Sequence, residues 1–239
     1  MWTKALQHSK DYVVTDYNFN GINIHAAKGI HELSFELFTS LKLKHGAKIC
    51  VLGAGAGAFD ERLYAAGYHD ITSLEFNPHI YRSKGKVLAA DLNKDFSGIG
   101  KFDIVIALEI MEHIENQFDF LRQIKEILNS NSHLILSTPN PKNTFSRFRF
   151  MLNGDMSYFN TLDITSSGHI NPVFDHVLKF YLKEIGFKIS SEKILNVWSM
   201  TLRGKKLFAK LVILFAYLVT RFVANKDDRA MLIYLISKI

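Results

Sequence analysis

Ile49-Cys50-Val51-Leu52-Gly53-Ala54-Gly55-Ala56-Gly57-Ala58 is the stretch that decides the fold. A short β-like run, Lys48–Leu52, enters three glycines at alternate positions. Residues 58–66 then read as a helix stopped by Gly67. Glycine has no Cβ, so the backbone can turn sharply there and approach a ligand. The helix that follows offers free amide N–H groups and the positive end of its dipole. The spacing leaves the ligand open. Gly53-x-Gly55-x-x-Ala58 satisfies a dinucleotide fingerprint, and Glu75 follows at the roughly 20-residue distance expected of a ribose-binding acid. Gly53-x-Gly55-x-Gly57 suits a nucleoside without a pyrophosphate equally well.

Outward from the loop, strand and helix signals alternate. Upstream, Ile30, Leu33, Leu37 and Leu41 fall at helical spacing. Downstream, Asp70–Phe76 is a second strand, Lys86–Ala90 a third and Phe102–Leu108 a nearly continuous apolar fourth, of the kind buried on both faces of a parallel sheet. Glu115–Leu128 is an amphipathic helix, and His133–Ser137 a fifth strand closed by Thr138-Pro139-Asn140-Pro141. Phe174–Ile185 is helical, capped by Gly186. Lys188–Trp198 and Met231–Ile239 are the last strands, with a helix expected over 205–223 between them. This alternation predicts an α/β, Rossmann-like, doubly wound sheet. The chain divides into an N-terminal arm and helix (1–44), a cofactor-binding core (45–200) broken by a long loop at 142–170, an apolar helical insertion (201–229) and a last strand (230–239), all one domain.

Composition narrows the class. The 239 residues are 48% hydrophobic, enough for one substantial core. One cysteine, Cys50, excludes an intrachain disulfide framework and a cysteine metal cluster, and fits a reducing compartment. The formal charge of +6 permits an anionic partner, a membrane surface included, but no dense basic stripe marks a nucleic-acid backbone site. The N-terminus has no apolar signal-like stretch. The longest apolar run, Leu211–Val219, is far short of the ~20 residues needed to span a bilayer. The expectation is a cytoplasmic protein that can touch the membrane face.

Phe102-Asp103-Ile104-Val105-Ile106-Ala107-Leu108-Glu109-Ile110-Met111-Glu112-His113-Ile114 and His133-Leu134-Ile135-Leu136-Ser137-Thr138-Pro139-Asn140 separate the two cofactor readings. Together with the glycine loop, Glu75 and Asp91, these segments resemble the class I S-adenosylmethionine-dependent methyltransferases, closest to the branch of the ubiquinone-biosynthesis O-methyltransferases. The resemblance covers about residues 45–200. It implies seven mostly parallel strands with an antiparallel last strand. It implies S-adenosylmethionine held by Gly53, Ala54, Gly55, Gly57, Glu75, Phe76, Asp91, Leu92, Leu108 and Glu109. The family usually carries an acid two residues before the first glycine; this chain has Val51.

A helix starting near Glu109 would place Glu109, Glu112 and His113 on one face. Two carboxylates and an imidazole can bind a divalent metal such as Mg2+, or His113 can serve as a general base oriented by a carboxylate. Some relatives use such a trio with a later histidine to hold a metal, which makes His169 the fourth ligand by resemblance. Phe145-Ser146-Arg147-Phe148-Arg149-Phe150 interleaves cations with aromatic rings, and the basic-flanked segment 205–223 suits an interfacial membrane helix. The expected function is O-methylation of a small, sugar or lipid-linked hydroxyl acceptor. The rivals are 2′-O-methylation of an RNA 3′ end, an NAD(P)-binding oxidoreductase on the glycine loop alone, and an inactive cofactor-binding partner protein.

Overall fold

The structure, a computed structural model, describes residues 16–195 and 231–238. The segment 205–223 therefore lies outside the described residues.

An Asn20-Gly21 turn with both φ angles positive folds β1 (Asn18–Phe19) onto β2 (Ile22–Asn23). Two left-handed residues give the turn the twist that a tight hairpin needs. Helix α1 follows (Ile30–Ser40), burying Ile30, Leu37 and Phe38. Then come β3 (Ile49–Leu52), α2 (Ala58–Ala65), β4 (Ile71–Glu75), β5 (Lys86–Ala89), β6 (Phe102–Leu108), α3 (Gln117–Ile127) and β7 (Leu128–Pro139). The chain continues through α4 (Thr144–Asn153), α5 (Thr161–Ser166), α6 (Asp175–Glu184), β8 (Phe187–Leu195) and β9 (Met231–Lys238).

Seven strands form one sheet in the order β5-β4-β3-β6-β7-β9-β8. All neighbouring pairs from β5 to β7 are parallel. β9 runs antiparallel to both β7 and β8, so it alone is reversed. The seven-stranded, doubly wound arrangement read from the sequence is the one observed. Apolar side chains fill both faces. Cys50, Leu52, Val105 and Leu134 pack with α3 and α6, while Ile49, Val51, Ile104, Ile106 and Ile135 pack with α1 and α2. On α3, Leu121, Ile124 and Ile127 are fully buried, and truncating any one to Ala would cost about 2–5 kcal/mol.

Residues 142–170 are not a plain loop. Asn143 accepts the Ser146 N–H and starts α4, and Gly154, at φ 78°, ends it. Asn160 and Asp163 form a reciprocal capping box that starts α5. Asn143 and Asn160 cap short helices inside the stretch expected to be a loop. Lys142 pairs with Asp175 and ties this excursion to α6.

Candidate active site

The glycine loop leaves the C-terminal end of β3 between β4 and β6. Gly53 and Ala54 donate their N–H groups to the Leu74 carbonyl at 2.8 and 3.1 Å. Gly53 has φ +69°, and a Cβ there would lie 1.9 Å from Cδ1 of Ile110. Gly57, at φ +85°, caps α2, and a Cβ on it would meet Tyr81 and Ser83 at 2.8 Å. Only glycine provides this bend and this close approach.

Glu75 ends β4 beside the loop. Its Oε2 accepts the Gly55 N–H at 2.8 Å and its Oε1 accepts the Asn77 N–H at 3.0 Å. Both oxygens keep lone pairs for further donors, as two ribose hydroxyls would supply. Phe76 beside it is 46% exposed, an apolar surface open to a base. Asp91 follows β5 and spends one oxygen on the Asn93 N–H at 3.0 Å, while Leu92 packs on the core. Leu108, at the end of β6, walls a small cavity together with Val51, Gly53, Ala54 and Gly55. The expected cofactor residues thus line the ends of β3, β4, β5 and β6.

The trio after β6 is built differently from the helix face expected of it. Glu109 adopts φ +54°, and the only helical turn here is a short 3-10 turn at Met111–His113. Glu109 therefore does not share a face with Glu112 and His113. Its N–H donates to both the carbonyl and Oγ of Ser137, and its Oε1 accepts from that hydroxyl at 2.7 Å. Metal-capable atoms of Glu112, His113 and His169 lie within 4.8 Å of one another, and Glu109 is not in this group. The four-residue metal set becomes three.

Backbone bonds deliver His169 to the site. The Glu112 carbonyl accepts the N–H groups of Ile170 and Asn171 at 3.1 and 3.0 Å. Gln117 bridges the Met111 and Asn171 carbonyls. The two imidazoles stand edge to face, centroids 4.9 Å apart. His113 Nδ1 bonds the Gly168 carbonyl at 3.0 Å, and His169 Nδ1 bonds the Tyr158 carbonyl at 2.9 Å. A carbonyl only accepts, so each Nδ1 carries the proton and each Nε2 is left with a lone pair. Burial lowers both; His113 is pushed down to about 4, with His169 adding to the effect. Glu112 is fully buried. Its Oε2 accepts from Thr138 at 3.2 Å, but its Oε1 has no hydrogen-bond partner among the described residues. Burial raises Glu109 and Glu112 well above the usual carboxylate range, and their mutual repulsion adds to the rise at Glu112.

A methyltransferase-domain family model matches residues 5–192. The chain belongs to that family. Membership separates the two readings of the glycine loop: the methyltransferase cofactor is S-adenosylmethionine, not NAD(P). The ubiquinone biosynthesis O-methyltransferase of Azorhizobium caulinodans is 29% identical over 117 residues, which is 42% of this chain and 44% of that protein. The mitochondrial counterpart of Schizosaccharomyces pombe is likewise 29% identical, over 115 residues. The chain thus spans less than half the length of the curated relatives it matches. Among solved structures, a SAM-dependent methyltransferase from Archaeoglobus fulgidus superposes with a TM-score of 0.60 at 17% identity, over 88% of this chain and 96% of that one. At that identity the likeness bears on the fold alone.

Sequence reading missed what the N-terminal segment brings. Asn23, His25 and His31 line the cavity beside the glycine loop. The Asn20-Gly21 hairpin signal was present, but nothing local says where the hairpin docks. Tyr158, at φ +73°, holds His169 through its backbone carbonyl, a contact that its side chain does not announce in the sequence.

Proposed function

We propose that this methyltransferase moves the methyl group of S-adenosylmethionine to an oxygen of a small hydroxylated acceptor, free, on a sugar or glycan, or carried on a lipid. The observation that carries the reading is the cluster of Glu112, His113 and His169 just beyond the cofactor loop. A methyl transfer asks the protein for in-line placement and for removal of the acceptor's proton. Neutral His113 and His169, each with Nε2 free of its carbonyl bond, suit a hydroxyl donor.

The same cluster fits a divalent cation. The unpartnered Glu112 Oε1 and two histidines oriented through their carbonyl-bound Nδ1 atoms are what a ligand set requires. Two imidazoles with one carboxylate favour an ion such as Zn2+ or Mn2+ over Mg2+, which prefers oxygen donors. Such an ion would supply Lewis-acid character toward the acceptor hydroxyl. Ser137 and Thr138 hold Glu109 and Glu112 in place whether or not it is present.

A specific observation supports a membrane-borne acceptor. Phe150, Met151, Leu152 and Leu162 on α4 and α5 are 53–71% exposed, and Arg147 and Arg149 precede them in sequence, the latter paired with Asp155 at 3.5 Å. Apolar side chains flanked by cations suit an anionic bilayer surface. No helix among the described residues is long and apolar enough to cross a membrane.

The test incubates full-length protein with methyl-labelled S-adenosylmethionine and pools of phenols and catechols, glycans, lipid extract and RNA. Arms with Mn2+, Zn2+ or chelator run in parallel. Label is expected on oxygen in a small-molecule, glycan or lipid pool, and lost in His113→Ala. Label confined to nitrogen, or no transfer to any pool, would reject the reading; label at RNA 3′ ends would favour the nucleic-acid rival.

A further inference from the structure

The sheet order β4-β3-β6 sets the direction in which the cofactor lies. Glu75, the residue expected to take the ribose, ends β4 on one side of the glycine loop. The cavity on the other side reaches Leu108 at the end of β6, the strand whose C-terminal end runs on into Glu109 and the turn that carries Glu112 and His113. On the cofactor reading above, with the ribose at Glu75, the amino-acid end of the cofactor would lie on the cavity side. That end carries an ammonium and a carboxylate.

The strand walls of this cavity bring no charge, since Val51 and Leu108 are aliphatic. Its polar side chains, Asn23, His25 and His31, all precede β3. His25 lies over the loop, its Nδ1 only 3.4 Å from where a Cβ on Gly55 would stand. His31, in the first turn of α1, is 7% exposed and packs edge-on against Phe59, ring centroids 5.2 Å apart. Its Nδ1 is buried and has no hydrogen-bond partner among the described residues. A buried polar atom left unpaired costs about 1–3 kcal/mol, so it is expected to have a partner in the working state.

We propose that His31 accepts a hydrogen bond from the α-ammonium of the methionine part of S-adenosylmethionine, supplying from α1 the acceptor that Val51 does not. Burial, with Arg62 and His25 nearby, holds His31 down to about 3, so it is neutral in the physiological range and one ring nitrogen keeps a lone pair. The proposal rests on the cofactor reading above and assigns a residue to one end of that ligand.

Titration calorimetry on the full chain uses three probes: S-adenosylhomocysteine, its decarboxylated analogue, which keeps the amine, and 5′-methylthioadenosine, which lacks both groups. His31→Leu keeps apolar bulk and is expected to weaken the first two about tenfold or more, the range of a hydrogen bond to a charged group, and to leave the third unchanged. His31→Gln, which keeps an acceptor, recovers most of the loss. Equal weakening of all three probes would make His31 structural and overturn the proposal. Weakening of S-adenosylhomocysteine alone would assign His31 to the carboxylate and overturn it too, as would no effect. Failure of the wild type to bind any probe would count against the cofactor reading instead. If His31→Leu does not fold, 15N-histidine spectra of the wild type decide. A His31 Nδ1 shift with the two amine-bearing probes and none with 5′-methylthioadenosine supports the proposal; the same spectrum with all three refutes it.

Discussion

Asp60 makes the glycine-loop helix sensitive to pH. It sits in the first turn of α2, fully buried, and its Oδ2 accepts from Ser73 Oγ at 2.5 Å and from the Tyr81 hydroxyl at 2.6 Å. Its Oδ1 has no partner among the described residues. Burial pushes the carboxyl up from 3.8 to about 6, against the two hydroxyl bonds, which favour the anion. A proton bound that much more tightly in the folded state is worth about 3 kcal/mol. Because the folded value is raised, this stability is fully present below about 3.8 and is lost as pH rises through about 6. Asp60→Asn removes the titration and keeps an acceptor for Ser73 and Tyr81. Urea unfolding of both proteins, followed by two optical probes to check for a single transition, measures the difference at each pH. The wild type's advantage over Asp60→Asn should shrink by about 2 kcal/mol between pH 4 and 7.5, since part of the loss has already occurred at pH 4. Other carboxyls titrate equally in both proteins and cancel. A difference that stays flat within about 0.5 kcal/mol would show that Asp60 does not gain proton affinity on folding, and the reasoning from burial would fail.

Four further outcomes follow from the site. Glu75→Gln leaves one acceptor oxygen for two backbone N–H groups, so affinity for S-adenosylhomocysteine should fall about tenfold or more by calorimetry; unchanged affinity would remove Glu75 from the ribose site. Gly53→Ala forces a Cβ into Ile110 at positive φ and should cost about 1–3 kcal/mol in thermal or urea unfolding while weakening the cofactor; an unaltered melt and affinity would contradict the loop geometry. His113→Ala should lower kcat about 100-fold or more with S-adenosylhomocysteine affinity unchanged, and Glu112→Gln should lower bound Zn2+ or Mn2+ measured by elemental analysis; normal turnover in the first would take His113 out of the reaction.

Alternation of apolar runs with helical spacing determined the doubly wound sheet, because period and burial are written residue by residue along the chain. The glycines at 53, 55 and 57, and Glu75 after the next strand, were legible for the same reason: a βα turn is local, and its chemistry needs particular residues at short separations. The Glu109–His113 segment was visible as chemistry but not as geometry. A left-handed backbone at Glu109, fixed by Ser137 on the neighbouring strand, splits it from Glu112 and His113, and helical spacing carries no sign of that. Tertiary structure alone brought His169 to His113 across 56 residues, through carbonyl bonds that any sequence could supply. It alone laid His31 against the cavity behind Val51. Contacts between distant segments depend on how whole elements pack, and a side chain's partner across the fold leaves no mark in its own neighbours.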